Sequence, residues 1–159
     1  METLIAGDLF RVPLKEDKCS FLSYICDDAS QLNSNVVAAC RNRFSVHEKP
    51  GYAEITSGGV EFYAHVVIRH GINNRLWEFY SRGTPLTSPI SAFRTSSDFG
   101  NPEIEKSTSW WVWKIGQKML SADGDLARLC DTEIGIVIAP QHIVERMETG
   151  KYGFVFPKF

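Results

Sequence analysis

The sequence predicts an α+β fold. Three observations predict it. Apolar residues recur at helical spacing behind Cys19, the run Val60 to Arg69 alternates like a strand, and Glu133 to Ala139 is a second apolar run bounded by turn signals. Helices at the front and middle, with a mostly antiparallel sheet between and after them, make up that class.

Leu9 to Leu14 reads as a strand or extended arm, closed by the charged turn Lys15-Glu16-Asp17-Lys18. From Cys19 onward Leu22, Ile25, Cys26, Ala29 and Leu32 fall at three- and four-residue steps, which predicts a helix with Asp17 or Lys18 at its N-cap. A second short helix is expected from Asn35 to about Arg43, capped by Ser34, with Val36, Val37, Ala39 and Cys40 on its apolar side. Lys49-Pro50-Gly51 breaks the chain, 52–56 reads as a short strand, and Ser57-Gly58-Gly59 as a turn. Val60 to Arg69 and Arg75 to Ser81 are expected to form a central antiparallel hairpin. Residues 82–108 are rich in Gly, Pro, Ser and Thr and read as a long loop. Ser109 to Leu120 is expected as a helix carrying Trp110, Trp111 and Trp113, ended by Asp123-Gly124. After the strand Glu133 to Ala139, Pro140 suits the first turn of a helix and Gly150 its C-terminal cap. Tyr152 to Phe156 reads as a last strand.

Composition narrows the function classes. The 159 residues are 43% hydrophobic and 23% charged, which suits one globular domain and excludes a disordered chain or a disulfide-dense mini-protein. Lys+Arg number 17 against 19 Asp+Glu, a net charge of −2, whereas a duplex binder normally carries a basic excess. No nucleic-acid partner is expected. No apolar run approaches a membrane span, so no membrane partner is expected either. The N-terminus lacks a basic region followed by an apolar core, and the four cysteines include no C-x-x-C pair. A cytoplasmic protein with reduced thiols is expected, or one delivered into a host cytoplasm without an ordinary signal peptide. No cofactor fingerprint is present, and no cofactor or metal is expected: His65 and His70 would point to opposite faces of a strand. His47 and His142 have no distinguishing company.

Three residues could carry chemistry together: Cys19, His65 and Glu78. A cysteine in the first turn of a helix meets unpaired N–H groups and the positive end of the dipole, and both favour a thiolate. An imidazole held mid-strand suits a proton shuttle. An acid on the neighbouring hairpin strand could orient it. Cys40 is the alternative nucleophile: Arg41 and Arg43 favour its thiolate, and an expected helix C-terminus opposes it.

Cys19 in Asp17-Lys18-Cys19-Ser20, His65 in Ala64-His65-Val66-Val67 and Glu78 in Trp77-Glu78-Phe79 resemble the papain-like thiol amidases. The nearest echo is the protein N-terminal glutamine amidohydrolases and glutamine-deamidating bacterial effectors, over roughly residues 17–93. The acid is Glu where the family usually has Asp, and no Gln precedes Cys19 to serve an oxyanion hole. The resemblance implies a papain-like fold and thiol hydrolase activity on a protein substrate, as deamidation or peptide hydrolysis. Cys19 would attack the carbonyl, His65 would protonate the leaving amine, and water would hydrolyse the thioester.

A bland reading stands beside this one. Cys19 is also readable as a small buried hydrophobe, His65 as a strand residue hydrogen-bonded to a backbone carbonyl, and Glu78 as a solvated residue paired with Arg69 or Arg75. The alternative function is a non-catalytic protein-interaction module. Its aromatic surface would use Trp111 or Trp113, since three Trp within four positions cannot all face one way. Arg82 and Thr84, just past the expected acid, are binding candidates that would lie at a substrate cleft.

Overall fold

A computed structural model describes residues 3–86 and 92–159. Its strands are β1 (Leu9–Leu14), β2 (Lys18–Asp28), β3 (Ser34–Cys40), β4 (Phe44–Ser45), β5 (Val60–Val66), β6 (Glu78–Ser81), β7 (Phe93–Ser96), β8 (Trp110–Trp113), β9 (Leu120–Ser121), β10 (Glu133–Ile134) and β11 (Val137–Ile138). Among the described residues, three α-helices join them: α1 (Tyr52–Thr56), α2 (Ile68–Asn73) and α3 (Pro140–Thr149). Among the described residues the main sheet runs β11-β5-β3-β2-β1-β6, with β4 paired to the start of β2. A smaller sheet runs β10-β7-β8-β9. The class is α+β.

β1 and the charged turn lie where the sequence places them. Leu14 pairs with Lys18, and Glu16 and Asp17 take φ of 57° and 53°, the left-handed region that suits a tight hairpin turn. Helix α3 starts at Pro140 and stops at Gly150, whose φ of 84° only glycine adopts without strain.

The two expected N-terminal helices are strands. Phe21, Leu22 and Tyr24 are buried one after another, and Val36 to Cys40 are buried without a break. A strand covered on both faces shows a continuous apolar run, and short stretches of such a run also fit helical spacing. A bulge between Tyr24 and Cys26 shifts the register and adds to the ambiguity. The expected helix over Ser109 to Leu120 is also strand at Trp110–Trp113, where aromatic and β-branched residues fit a pleated surface.

The expected strand over 52–56 is helix α1, entered through a Glu54 carboxylate that accepts the Gly51 N–H at 2.8 Å. Tyr152 to Phe156 forms no strand.

The expected central hairpin does not form. β5 runs into α2, whose Ile68 and Ile72 sit one turn apart on the apolar side, and the chain then crosses the sheet to lay down β6 at the far edge. Part of the long 82–108 segment is ordered as β7, and residues 87–91 of it lie outside the described residues.

The main sheet is covered on both faces. α2 and α3 bury one face, where Phe10, Leu22, Val37, Phe62, Ile68 and Ile143 pack together. α1 covers part of the other, with Ile55 against Leu9, Cys19, Phe21 and Cys40. The small sheet covers the rest of that face, with Phe93 and Trp113 against Val36, Ala38 and Tyr63.

The expected strand over Glu133 to Ala139 is split between the sheets. β10 pairs in parallel with β7 of the small sheet, and β11 pairs in parallel with β5 of the main one. Gly135 lies at the crossing, where a Cβ would collide with the Trp113 ring. Among the described residues, no helix is long and apolar enough to cross a membrane.

Candidate functional site

The structure does not bring Cys19, His65 and Glu78 together. Cys19 lies near the start of β2, fully buried, with its Sγ 3.6 Å from the Ser45 carbonyl oxygen. It does not sit in the first turn of a helix, because the segment is strand. His65 pairs with Val36, which pairs with Cys26, so the imidazole is level with a point seven residues along β2 from Cys19. That separates them by roughly 23 Å along the strand direction, at about 3.3 Å per residue. Glu78 lies on β6, and β3, β2 and β1 stand between it and β5. Four strand spacings make about 19 Å. A nucleophile and its base must be within hydrogen-bond reach, so this triad lacks its geometry.

Cys40, the alternative nucleophile, ends β3 and is 1% exposed. Burial pushes its thiol up to about 11, and the Arg43 guanidinium opposes this only in part. Arg43 is otherwise spent on structure. It donates to the Glu61 carboxylate at 2.6 Å and to the carbonyl oxygens of Cys40 and Met147 at 2.9 Å. Burial beside Asp28 and Asp27 also raises the Cys26 thiol.

His65 has a carboxylate partner, but it is Asp28. Nε2 of His65 lies 3.0 Å from Asp28 Oδ2, and both side chains are fully buried. The Trp113 indole N–H donates to the same oxygen at 3.0 Å, and the Ser30 hydroxyl donates to Oδ1 at 3.0 Å. The Phe93 ring packs edge-on against the imidazole, centroids 4.3 Å apart. Burial pulls the His65 imidazole below its usual range, and Asp28 opposes that pull. Burial by itself would raise the Asp28 carboxyl. The hydrogen bonds from His65, Trp113, Ser30 and the Gly116 backbone leave it below the ordinary range instead. At neutral pH a neutral imidazole therefore donates its Nε2–H to a carboxylate, which can only accept. The cluster ties the small sheet to the main one and has no open approach to its ring.

Trp113 is thus a core residue, 3% exposed, and not a surface anchor. Trp111 is 37% exposed, with its indole N–H on the Ser97 hydroxyl at 3.2 Å. Thr84 is exposed, and its carbonyl oxygen accepts the Tyr52 hydroxyl at 2.7 Å. No group of three or more His, Cys, Asp or Glu suited to a metal ion occurs among the described residues.

The surface offers a different site. A groove of about 440 Å³ opens between the segment before β1, helix α2 and the edge strand β6. Leu4, Phe10, Ile72 and Phe79 form its apolar walls. Phe79 is 51% exposed and packs edge-on against Phe10, centroids 6.0 Å apart. Arg82 and Glu78, two of the residues singled out in the sequence, line it together with Asp8 and Arg69. A neighbouring recess of about 410 Å³ shares Thr3, Leu4 and Arg69 with the groove and reaches Asp27 and Asn35. No family model, curated protein or solved structure matches the chain.

Sequence reasoning missed Asp28, Asp8 and Phe79. One signal could have found Asp28: an imidazole inside an apolar strand needs a buried partner. Nothing in the Glu78-Phe79-Tyr80 triplet marks Phe79 as the exposed ring.

Proposed function

We propose that this protein is a non-catalytic protein-interaction module, and that its contact surface is the groove beside β6. One observation carries the reading. Phe79, a large aromatic ring, stands half out of the protein at the wall of an apolar groove on a sheet edge. Grooves of this size, apolar with a few converging polar groups, are where ligands and partner segments bind. Aromatic residues and arginine are also enriched among the residues that carry binding energy. The thiols that an amidase would need support the same conclusion: Cys19 and Cys40 are buried and lie far from His65.

A photo-reactive benzoyl-phenylalanine at position 79, with a second chain carrying it at Val155, tests this. Val155 is 82% exposed and does not line the groove. A discrete cross-linked partner at 79 and none at 155 is the expected result, unchanged in a Cys19→Ala background. A one-dalton mass gain on glutamine-containing proteins that Cys19→Ala abolishes would overturn the reading in favour of a thiol amidase.

A further inference from the structure

We infer that the groove selects a partner segment bearing a lysine or arginine, whose cationic head is received by Asp8. This rests on the groove being the contact surface. Asp8 lines the groove yet is only 3% exposed. Its Oδ2 accepts the Ile5 N–H at 2.9 Å, while its Oδ1 is buried with no hydrogen-bond partner among the described residues. Backbone hydrogen bonds hold Asp8 at this position. The Asp8 N–H donates to the Ile5 carbonyl at 2.9 Å, and the Asp8 carbonyl accepts the Tyr24 N–H at 2.9 Å.

A buried carboxylate oxygen without a donor is costly, and native proteins match nearly all such groups. The strongest match for an acceptor-only group is a charge-assisted bond from an ammonium or guanidinium. Lysine and arginine side chains also bury an aliphatic stem while their heads remain polar. Such a stem fits between Leu4, Phe10 and Phe79, with the head at Asp8. Asp8 and Glu78 are balanced by Arg69 and Arg82 on the same lining, so the preference is set by contact at Asp8 and not by a long-range field. The shared residues of the groove and its neighbouring recess favour an elongated occupant, such as a chain segment, over a small amine.

Two probes test this: acetyl-Leu-Phe-Arg-amide and its citrulline counterpart, which keeps the shape and loses the charge. Titrated into isotope-labelled protein, the arginine probe should bind at least ~10-fold tighter and shift the amide signals of Asp8, Ile72 and Phe79; one factor of ten is a modest yield for a charged contact. Asp8→Asn should remove the difference between the probes, and Phe79→Ser should weaken both. The exposed Glu78→Gln, which tests the other acid, should leave the preference in place. Equal binding of the two probes to the unaltered protein overturns the inference, as do absence of binding by either, a preference that survives Asp8→Asn, or one lost in Glu78→Gln. If the probes bind equally and Phe79→Ser still weakens both, the cation preference falls while the groove remains the contact surface.

Discussion

Asp8 and Asp28 are both carboxylates taken out of water, and they differ in how many donors meet them. Asp28 collects His65, Trp113 and Ser30. Asp8 collects one backbone N–H. The four thiols divide in a similar way. Cys19 and Cys40 are buried, Cys26 is half-buried, and Cys130 is exposed with its Sγ 3.8 Å from the Leu126 carbonyl. Iodoacetamide at pH 8 should therefore modify Cys130 first and Cys26 more slowly. Cys19 and Cys40 should react only at the rate at which the sheet opens, which peptide-resolved mass spectrometry would follow. Fast labelling of Cys19 in the folded protein would contradict its position in the core.

At the scale of elements, the sequence is legible where local chemistry decides and opaque where tertiary contacts do. Leu9 to Leu14, the turn at Glu16-Asp17 and the Pro140-to-Gly150 helix follow from alternation, turn residues and caps, and all three stand. Cys19 to Leu32 and Val36 to Cys40 are misread because burial on both faces erases the two-residue period that would mark them as strands. The expected hairpin fails for another reason: His70 to Asn74 can close a turn or extend a helix, and the packing of Ile68 and Ile72 against the sheet selects the helix. The expected site depends on that hairpin, so it pairs Glu78 with the wrong neighbour. Its true cross-strand partner is Arg11. Gly135 governs the junction of the two sheets, so its replacement is an element-scale test. Gly135→Ala would drive a methyl into the Trp113 ring. It should cost about 1–3 kcal/mol, the usual penalty for overpacking. Urea melts followed by tryptophan fluorescence would measure it, and a neutral result would place the ring elsewhere.

For the whole molecule, the buried His65–Asp28 pair makes stability depend on pH, and both members act in the same direction. The His65 pKa is depressed in the folded state, so below about pH 6.5 the unfolded chain takes up a proton that the native one refuses. Stability is then lost as pH falls through that region. The Asp28 pKa is depressed as well, so its contribution is present above about pH 4 and is lost as pH falls further. Urea midpoints from pH 7 to pH 4 should decline. His65→Gln, which keeps a donor for Asp28 and cannot titrate, should flatten the upper part of the decline by at most about 1.4 kcal/mol per pH unit, the limit for one proton. An unchanged slope would mean that His65 is protonated in the native state. The strip from β10 to β11 has another consequence, for the order in which the chain is assembled. His65 waits for Val137, roughly 70 residues later, and a contact so distant in the chain forms late. On the ribosome, each sheet can gather its earlier strands, but nothing yet covers the free edge of β5. That open edge can accept a strand from a neighbouring nascent chain. Crowded synthesis is therefore the stage at which this protein is most exposed to joining the wrong molecule.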